Sequence, residues 1–281
     1  MVHPARILES LGIHPRKSLG QNFLADENIA RKIVAHSVTR GAHVIEVGPG
    51  FGALTRFILD KSASLHAIEI DGRLARYLEN ELKGSGLIVL EQDFLELRDG
   101  LIEKWVDEGG TSLTLVGNLP YSASGHLVMK FVSFRNHLAS CGVMLQKEVA
   151  RRLVSSPGSR EYGSLSVILQ SVAGVKILFP VSRNSFYPVP EVDSAFMKID
   201  FTPDLPWGID DFKLFKELVN RAFQMRRKVI RNALKGYFLE RGGEKRLLSL
   251  LESSGISPRS RPEEIPVDRY VALANRDSGK E

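Results

Sequence analysis

Two rhythms of hydrophobic and polar positions run through the first two-thirds of the chain. In ENIARKIVAHSV (27–38), Ile29, Ile33, Val34 and Val38 fall on one face at helical spacing. AHVIEVG (42–48) is a short apolar run ending at a glycine, and reads as a strand. The alternation then repeats. ALTRFILDK, GRLARYLENEL, LIEKWVDE, GHLVMKFVSF and EVARRLVS read as helices. Between them, SLHAIEI, GLIVLEQD, TSLTLVGN and ASCGVMLQ read as strands. Such alternation predicts an α/β fold, a mostly parallel sheet with helices on both faces. GVKILFPV and SAFMKIDF follow with only a loop between them, which predicts an antiparallel pair completing seven strands.

The rhythm changes at FTPDLPWG (201–208), where Pro203 and Pro206 interrupt the chain. Beyond it the strands stop. FKLFKELVNRAF, KVIRNALKGYF, KRLLSLLESSG and DRYVALANR all have helical spacing. Two domains are expected, a sheet domain over 1–202 and a small all-helical one over 203–281. Charge follows the same division. The net charge of +5 over 281 residues splits into +1 over 1–200 and +4 over 201–281. A basic appendage on a near-neutral body suits a polyanionic partner, although a solvated face has the same composition. The single cysteine, Cys141, lies in an apolar run and is expected to be a buried thiol. No run reaches membrane-spanning length, and no signal-peptide core opens the chain, so a cytoplasmic enzyme is expected, with no membrane partner.

Candidate chemistry collects at the ends of the strands. VIEVGPGFGALT (44–55) is a strand, a glycine-rich turn and a helix start. Gly48, Gly50 and Gly52 let a ligand approach the backbone closely, but such turns serve several cofactors and some only pack. Spacing narrows the choice. Glu69, with Ile70 beside it, ends the next strand about twenty residues on, where a carboxylate can accept from ribose hydroxyls. Asp93 ends the third strand and can accept from an adenine amine, with Phe94 beside the ring; a turn or helix cap is the plain alternative. Glu46 lies inside the first strand. An acidic neighbour there suits the cationic S-adenosyl-L-methionine better than a nicotinamide dinucleotide.

The fourth strand ends by delivering Asn118, Leu119, Pro120 and Tyr121 into the same crevice. An exocyclic adenine amine is a poor nucleophile because its lone pair is delocalised into the ring. The Asn118 side-chain oxygen and a backbone carbonyl near Leu119 or Pro120 would hold its two N–H bonds and free the lone pair. Proline stiffens the loop and brings no competing N–H. The ring of Tyr121 offers a stacking surface worth roughly 1–3 kcal/mol.

With these segments in view, GQNFL (20–24), EVGPGFGALT (46–55), IEID (68–71), QDF (92–94), GNLPY (117–121), MLQKEVARRL (144–153), YGSLSV (162–167), FYPVPEVDSAF (186–196) and FQMRRKVIRNAL (223–234) form an ordered set. Together they resemble the ribosomal RNA adenine N6-dimethyltransferase family of the kasugamycin-sensitivity type, from about residue 15 to about 275. The resemblance implies a class I methyltransferase (Rossmann-like) fold, S-adenosyl-L-methionine as donor, and dimethylation of two adjacent adenosines near the 3′ end of small-subunit (16S) ribosomal RNA in an immature subunit. It implies cofactor contacts from Asn22, Leu24, Gly48, Glu69, Asp93 and Asn118. Asn22 and Leu24 have no independent reading, and Phe23 reads as core from the residues alone. NLPYSAS stands where NLPYNIS is more usual, and Glu191 stands where lysine is common.

For the RNA, RAFQMRRKVIRNALKGYF (221–238) is amphipathic, with Arg227, Lys228, Arg231 and Lys235 largely off its apolar face. Arg151 and Arg152 supply a second basic patch. Phe186 is a candidate to close on the target base opposite Tyr121, with packing against the sheet an equal alternative. No metal is expected, and the protein is expected to act as a monomer. A large-subunit resistance methyltransferase would share Gly48, Glu69, Asp93 and Asn118. A non-catalytic assembly factor would have little use for an intact Asn118–Tyr121 loop, and a nicotinamide oxidoreductase rests on the glycine turn alone.

Overall fold

The computed structural model describes residues 2–201 and 207–279. Pro203 and Pro206, where the sequence predicts the domain boundary, lie outside the described residues. The chain forms two compact units, one of residues 1–150 with 174–202, the other of residues 151–173 with 203–281.

The first unit opens with α1 (Pro4–Leu11) and the two-residue strand β1 (Phe23–Leu24). There follow α2 (Glu27–Ser37), β2 (His43–Val47), α3 (Thr55–Leu59), β3 (Ser64–Glu69), α4 (Gly72–Glu81) and β4 (Leu87–Glu91). Next come α5 (Asp99–Gly109), β5 (Leu113–Asn118), α6 (Ser124–Ser133), β6 (Leu138–Gln146) and α7 (Lys147–Leu153). After α8 (Ser164–Gln170) of the second unit, the chain returns as β7 (Gly174–Val181), β8 (Phe186–Tyr187) and β9 (Ser194–Asp200). The main sheet has seven strands in the order β4-β3-β2-β5-β6-β9-β7. The first five run parallel, and β9 runs against its two neighbours. This is the mostly parallel seven-stranded sheet that the sequence predicts, closed by an antiparallel pair.

Central strands covered on both faces need continuous apolar runs. Val44, Ile45 and Val47 of β2 are accordingly all buried, as are Leu113, Leu115 and Val116 of β5. Helix α2 starts where Asp26 accepts hydrogen bonds from the backbone N–H groups of Asn28 and Ile29. It lays Ala30, Ile33 and Val34 on a core shared with Met144 and Phe196. Each large apolar side chain fully buried there contributes about 1.5–3 kcal/mol. Cys141 is buried within the sheet as expected.

Sequence periodicity misses α1, α8 and the small β1–β8 pair, in which Phe23 faces Tyr187 and Leu24 faces Phe186. A two-residue strand has no period to detect, and the prolines of FYPVPEV suggest only a loop.

The second unit continues with α9 (Phe212–Gln224), α10 (Ile230–Phe238), α11 (Gly243–Ser253) and α12 (Val267–Ser278). Phe215, Leu218, Leu234, Phe238, Leu251 and Tyr270 are its buried centre. Residues 151–173, which the linear reading keeps in the first domain, pack here instead. The Tyr162 hydroxyl donates to the Ile265 carbonyl at 3.2 Å, Gly158 N–H to the Glu263 carbonyl at 2.7 Å, and the Trp207 indole to the Ser171 carbonyl at 3.1 Å. The amphipathic stretch 221–238 is not one helix. It breaks after Gln224, and Ile230 N–H donates to the Ser260 carbonyl at 2.7 Å instead of to a preceding helical turn. Arg226, Arg227 and Lys228 therefore sit in a turn.

Candidate active site

The chain order of the sheet reverses between β2 and β5. Ligands of open α/β sheets bind beyond the carboxyl ends of the strands at such a reversal. Here the glycine turn leaves β2, Asn118 ends β5, and a crevice of two lobes lies between and beside them. Leu19, Gly48, Ile70 and Pro120 line both lobes, so the lobes share a wall. The first lobe, about 780 Å³ counted out to its open mouth, is also lined by Asn22, Leu24, Glu46, Gly50, Glu69 and Asn118. The second is lined by Asp93 and Phe94. The crevice thus gathers Asn22, Leu24, Gly48, Gly50, Glu69, Ile70, Asp93, Phe94 and Asn118, whereas Gly52 lines neither lobe and packs against Leu78.

Glu46 is 1% exposed, and its Oε2 meets no hydrogen-bond donor. Burial pushes its carboxyl up to about 8. Thr55 stands close enough to offset part of that rise, although its hydroxyl makes no hydrogen bond of standard geometry. An orphaned carboxylate facing a cavity is a costly arrangement unless a cation completes it. Glu69 is better served. Its Oε2 accepts from Gly50 N–H and its Oε1 from Asp71 N–H, both at 3.0 Å. Burial still raises its carboxyl above the usual range. Gly50 has φ +58°, and a Cβ there would meet the Phe23 ring at 3.0 Å. The turn can therefore approach Glu69 only without a side chain.

In the second lobe, Asp93 caps a single helical turn, accepting from Leu95 N–H at 2.8 Å through Oδ1. The cap foreseen as an alternative is present, on a side chain that also lines the cavity. Ile70 is 49% exposed, an apolar platform between the lobes. Phe94 is buried edge-on against Phe131 and Phe134, so it supports the lobe's wall.

The Asn118 side chain is oriented by its nitrogen. Nδ2 donates to the Asn22 carbonyl at 2.9 Å, which turns Oδ1 the other way as a remaining acceptor. Leu119 N–H is tied to the Met144 carbonyl at 3.1 Å. The Pro120 carbonyl accepts from Ala123 N–H at 3.2 Å in a turn. Of the two backbone acceptors considered from sequence, the Pro120 carbonyl keeps one lone pair, and the Leu119 carbonyl carries no such turn hydrogen bond. Tyr121 is half-buried, and its hydroxyl lies 2.7 Å from Ser194 Oγ.

Residues 20–24 form a strap over this loop, a role that the residues alone do not disclose. Gly20, at φ +60°, lies so close to Pro120 that a Cβ would touch it at 3.4 Å. Gln21 donates to Asp71 at 3.0 Å, and the Asp71 carboxylate is also held by Arg73, which keeps it well below the usual range. Phe23 packs on Phe51 at 4.4 Å and is core, as its type suggests. Asp71 and Ser194 lie inside recognised segments, but nothing in their spacing reveals what they hold.

Residues 13–276 match the family described as "Ribosomal RNA adenine dimethylase". This chain belongs to the ribosomal RNA adenine dimethylase family. It is 40% identical over 259 residues to "Ribosomal RNA small subunit methyltransferase A" of Chlorobium phaeobacteroides (strain BS1), covering 92% of each chain. Two solved structures share its fold. One is a dimethyladenosine transferase from Plasmodium falciparum, with TM-score 0.73 and 22% identity, covering 91% of this chain and 98% of that one. The other is the 23S rRNA methyltransferase ErmE, with TM-score 0.67 and 24% identity, covering 92% of this chain and 100% of that one. The protein is a methyltransferase of class I fold that acts by ribosomal RNA adenine dimethylation. The dimethylase crevice fits the donor such a fold implies. The crevice is lined by the buried Glu46, whose Oε2 lacks a partner, and by a second buried acid, Glu69, an acceptor set that suits a cationic ligand bearing hydroxyl groups.

The positions proposed for RNA are of mixed standing. Arg151, Arg152, Arg227 and Lys228 are exposed. Arg231 is exposed but paired with Glu244 at 3.6 Å, and Lys235 reaches the same carboxylate at 3.8 Å. Phe186 requires correction. It is 2% exposed and packs in the core with Leu24 and Val181, because pairing of β8 with β1 turns its ring inward. It offers no face to a base. Among the described residues no group of three or more His, Cys, Asp and Glu side chains is placed to hold a metal ion, and no helix is long and apolar enough to cross a membrane.

Proposed function

We propose that the protein, as a cytoplasmic monomer, transfers methyl groups from S-adenosyl-L-methionine to N6 of two adjacent adenosines near the 3′ end of small-subunit (16S) ribosomal RNA, within an immature subunit. The observation that carries the chemistry is the fixed amide of Asn118. With Nδ2 committed to the Asn22 carbonyl, Oδ1 is preset as an acceptor at the mouth of the crevice. Paired with the Leu119 carbonyl, it holds an adenine amine so that the nitrogen lone pair is released from the ring. The donor supplies an electrophilic methyl group on a sulfonium. Glu46 balances its cationic end, Glu69 accepts from the ribose hydroxyls, and Asp93 accepts from the adenine amine, with Ile70 beneath the ring and Gly48 and Gly50 giving the backbone room. Tyr121 stacks on the target base. The catalytic gain is in position and hydrogen bonding, as expected where no strong base is at hand.

The small-subunit substrate is supported by the 40% identity to a relative bearing that name across 92% of both chains. The likeness to the large-subunit enzyme is one of fold.

Two measurements test the proposal. Asn118→Ala is expected to abolish methyl transfer and leave RNA binding intact; normal turnover in that variant would remove the amine-holding role. Wild-type protein, offered immature small subunits and deproteinised large-subunit RNA, is expected to form paired N6,N6-dimethyladenosines on the former alone, as read by mass spectrometry. A preference for the latter would reverse the substrate assignment.

A further inference from the structure

Resting on the reading of Tyr121 as the stacking platform, we infer that Ser194 is a positioning residue for the methyl-transfer step, holding the Tyr121 side chain in one χ1 rotamer so that its ring stays at the cavity mouth. A phenol ring turns about two bonds, and an unanchored ring at a cavity mouth samples several rotamers. Here the ring is tied at its far end. The Tyr121 hydroxyl and Ser194 Oγ are 2.7 Å apart, across 73 residues of sequence. Ser194 is fully buried, so the tie is shielded from competing water.

The anchor is itself rigid. Ser194 begins β9 and is paired on one side with Gln146 of β6 and on the other with Val181 of β7. The preceding Asp193 accepts from Lys147 N–H through its carbonyl and from Arg183 N–H through Oδ1, both at 3.0 Å. On the other side, Ser124 Oγ donates to the Tyr121 carbonyl at 3.1 Å. Burial raises the Tyr121 phenol above its ordinary value, so it stays neutral and keeps its proton in the pair. Ring and hydroxyl therefore divide the work: the ring faces the base and the hydroxyl is committed to the sheet. Sites held to tight tolerance depend on such supporting contacts.

The test uses full-length protein in single-turnover methyl transfer to immature small subunits, with Ser194→Ala, Tyr121→Phe, the double variant and Tyr121→Ala. Cofactor affinity by calorimetry and thermal midpoint are measured alongside. A net neutral hydrogen bond corresponds to a loss of roughly three- to tenfold. Ser194→Ala and Tyr121→Phe are each expected to slow transfer by that amount with donor affinity unchanged, and the double variant to be no slower than either. Tyr121→Phe removes the same contact from the half-exposed partner, so it stands if Ser194→Ala folds poorly. Full rate in Tyr121→Phe, or losses that multiply in the double variant, would overturn the inference while Tyr121→Ala remains impaired. Full rate in Tyr121→Ala would instead overturn the stacking role itself, and the inference with it.

Discussion

Glu46 shows what a single residue can cost the empty protein. Its carboxyl ionises near pH 8 in the folded chain and near 4.5 when solvated, because burial disfavours the charged form. Between those values the folded state holds a proton that the unfolded state has released. Its contribution to stability is therefore complete below about pH 4.5 and is lost as pH rises toward 8, a change on the order of a few kcal/mol. Glu69 is shifted the same way. Asp71 is shifted the opposite way but titrates below that window. His66, whose charged form burial also disfavours, opposes Glu46 in the acid half of the window. The informative quantity is thus a difference. Relative to wild type, cofactor-free Glu46→Gln is expected to gain stability steadily from pH 5 to pH 8 in urea unfolding. Parallel stability curves across that range would show that Glu46 is solvated or paired. The sequence locates this residue, and its cationic counterpart follows from charge alone. The missing donor at Oε2 does not, since it depends on what the two flanking strands, β3 and β5, and the helix start after the glycine turn leave out.

Regular elements are legible in the sequence because their periods are. Each of the seven sheet strands, and each helix between them except α8, announces itself through alternation or helical spacing. The exceptions are short elements, the helices α1 and α8 and the two-residue strands β1 and β8. GQNFL carries a strap whose meaning depends on Asp71 and Asn118, far off in sequence. The break between α9 and α10 contains neither proline nor glycine; the separate apolar periods of FKLFKELVNRAF and KVIRNALKGYF place it, and the donors of Ile230 and Arg231, turned toward the Ser260 and Pro258 carbonyls, make it. The consequence is functional. Arg227 and Lys228 are exposed in a turn and form no ion pair among the described residues, whereas Arg231 on α10 is already paired with Glu244. Exposed cations that neutralise phosphates each steepen the salt dependence of binding by roughly one unit. Replacing Arg227 and Lys228 together by alanine is expected to weaken RNA binding and lower that slope by about two. Arg231→Ala is expected to do less, because part of its charge is spent on Glu244. Filter-binding titrations over a range of salt decide between these; an unchanged slope in the double variant would take the turn out of the interface.

At the scale of the whole molecule, the chain does not divide where its composition does. The shift from alternating strands to helices at about residue 203 is real, yet residues 151–173 leave the sheet unit and complete the helical one before the chain returns as β7. Periodicity is blind to this, since EVARRLVS looks like any crossover helix between strands and α8 is not detected at all. What assigns them is a set of distant partners: Tyr162 with Ile265, Gly158 with Glu263, Ser171 with Trp207. Tyr162 is fully buried, and its phenol is pushed above its usual value by burial. A chain ending at residue 202 would lose each of these contacts at once. Its seven strands would all remain, but Tyr162 would be left without its hydrogen-bond acceptor and without the Phe223 and Tyr270 rings near it. Segments stripped of buried contacts open locally at little cost. The truncated protein is therefore expected to be cut by protease first within residues 151–173, and the full chain to resist there under the same conditions. Cleavage sites read by mass spectrometry discriminate between the two outcomes. If 151–173 stayed as resistant in the truncated chain as in the intact one, the segment would belong to the sheet unit after all, and the helical unit would be only the tail that composition suggests.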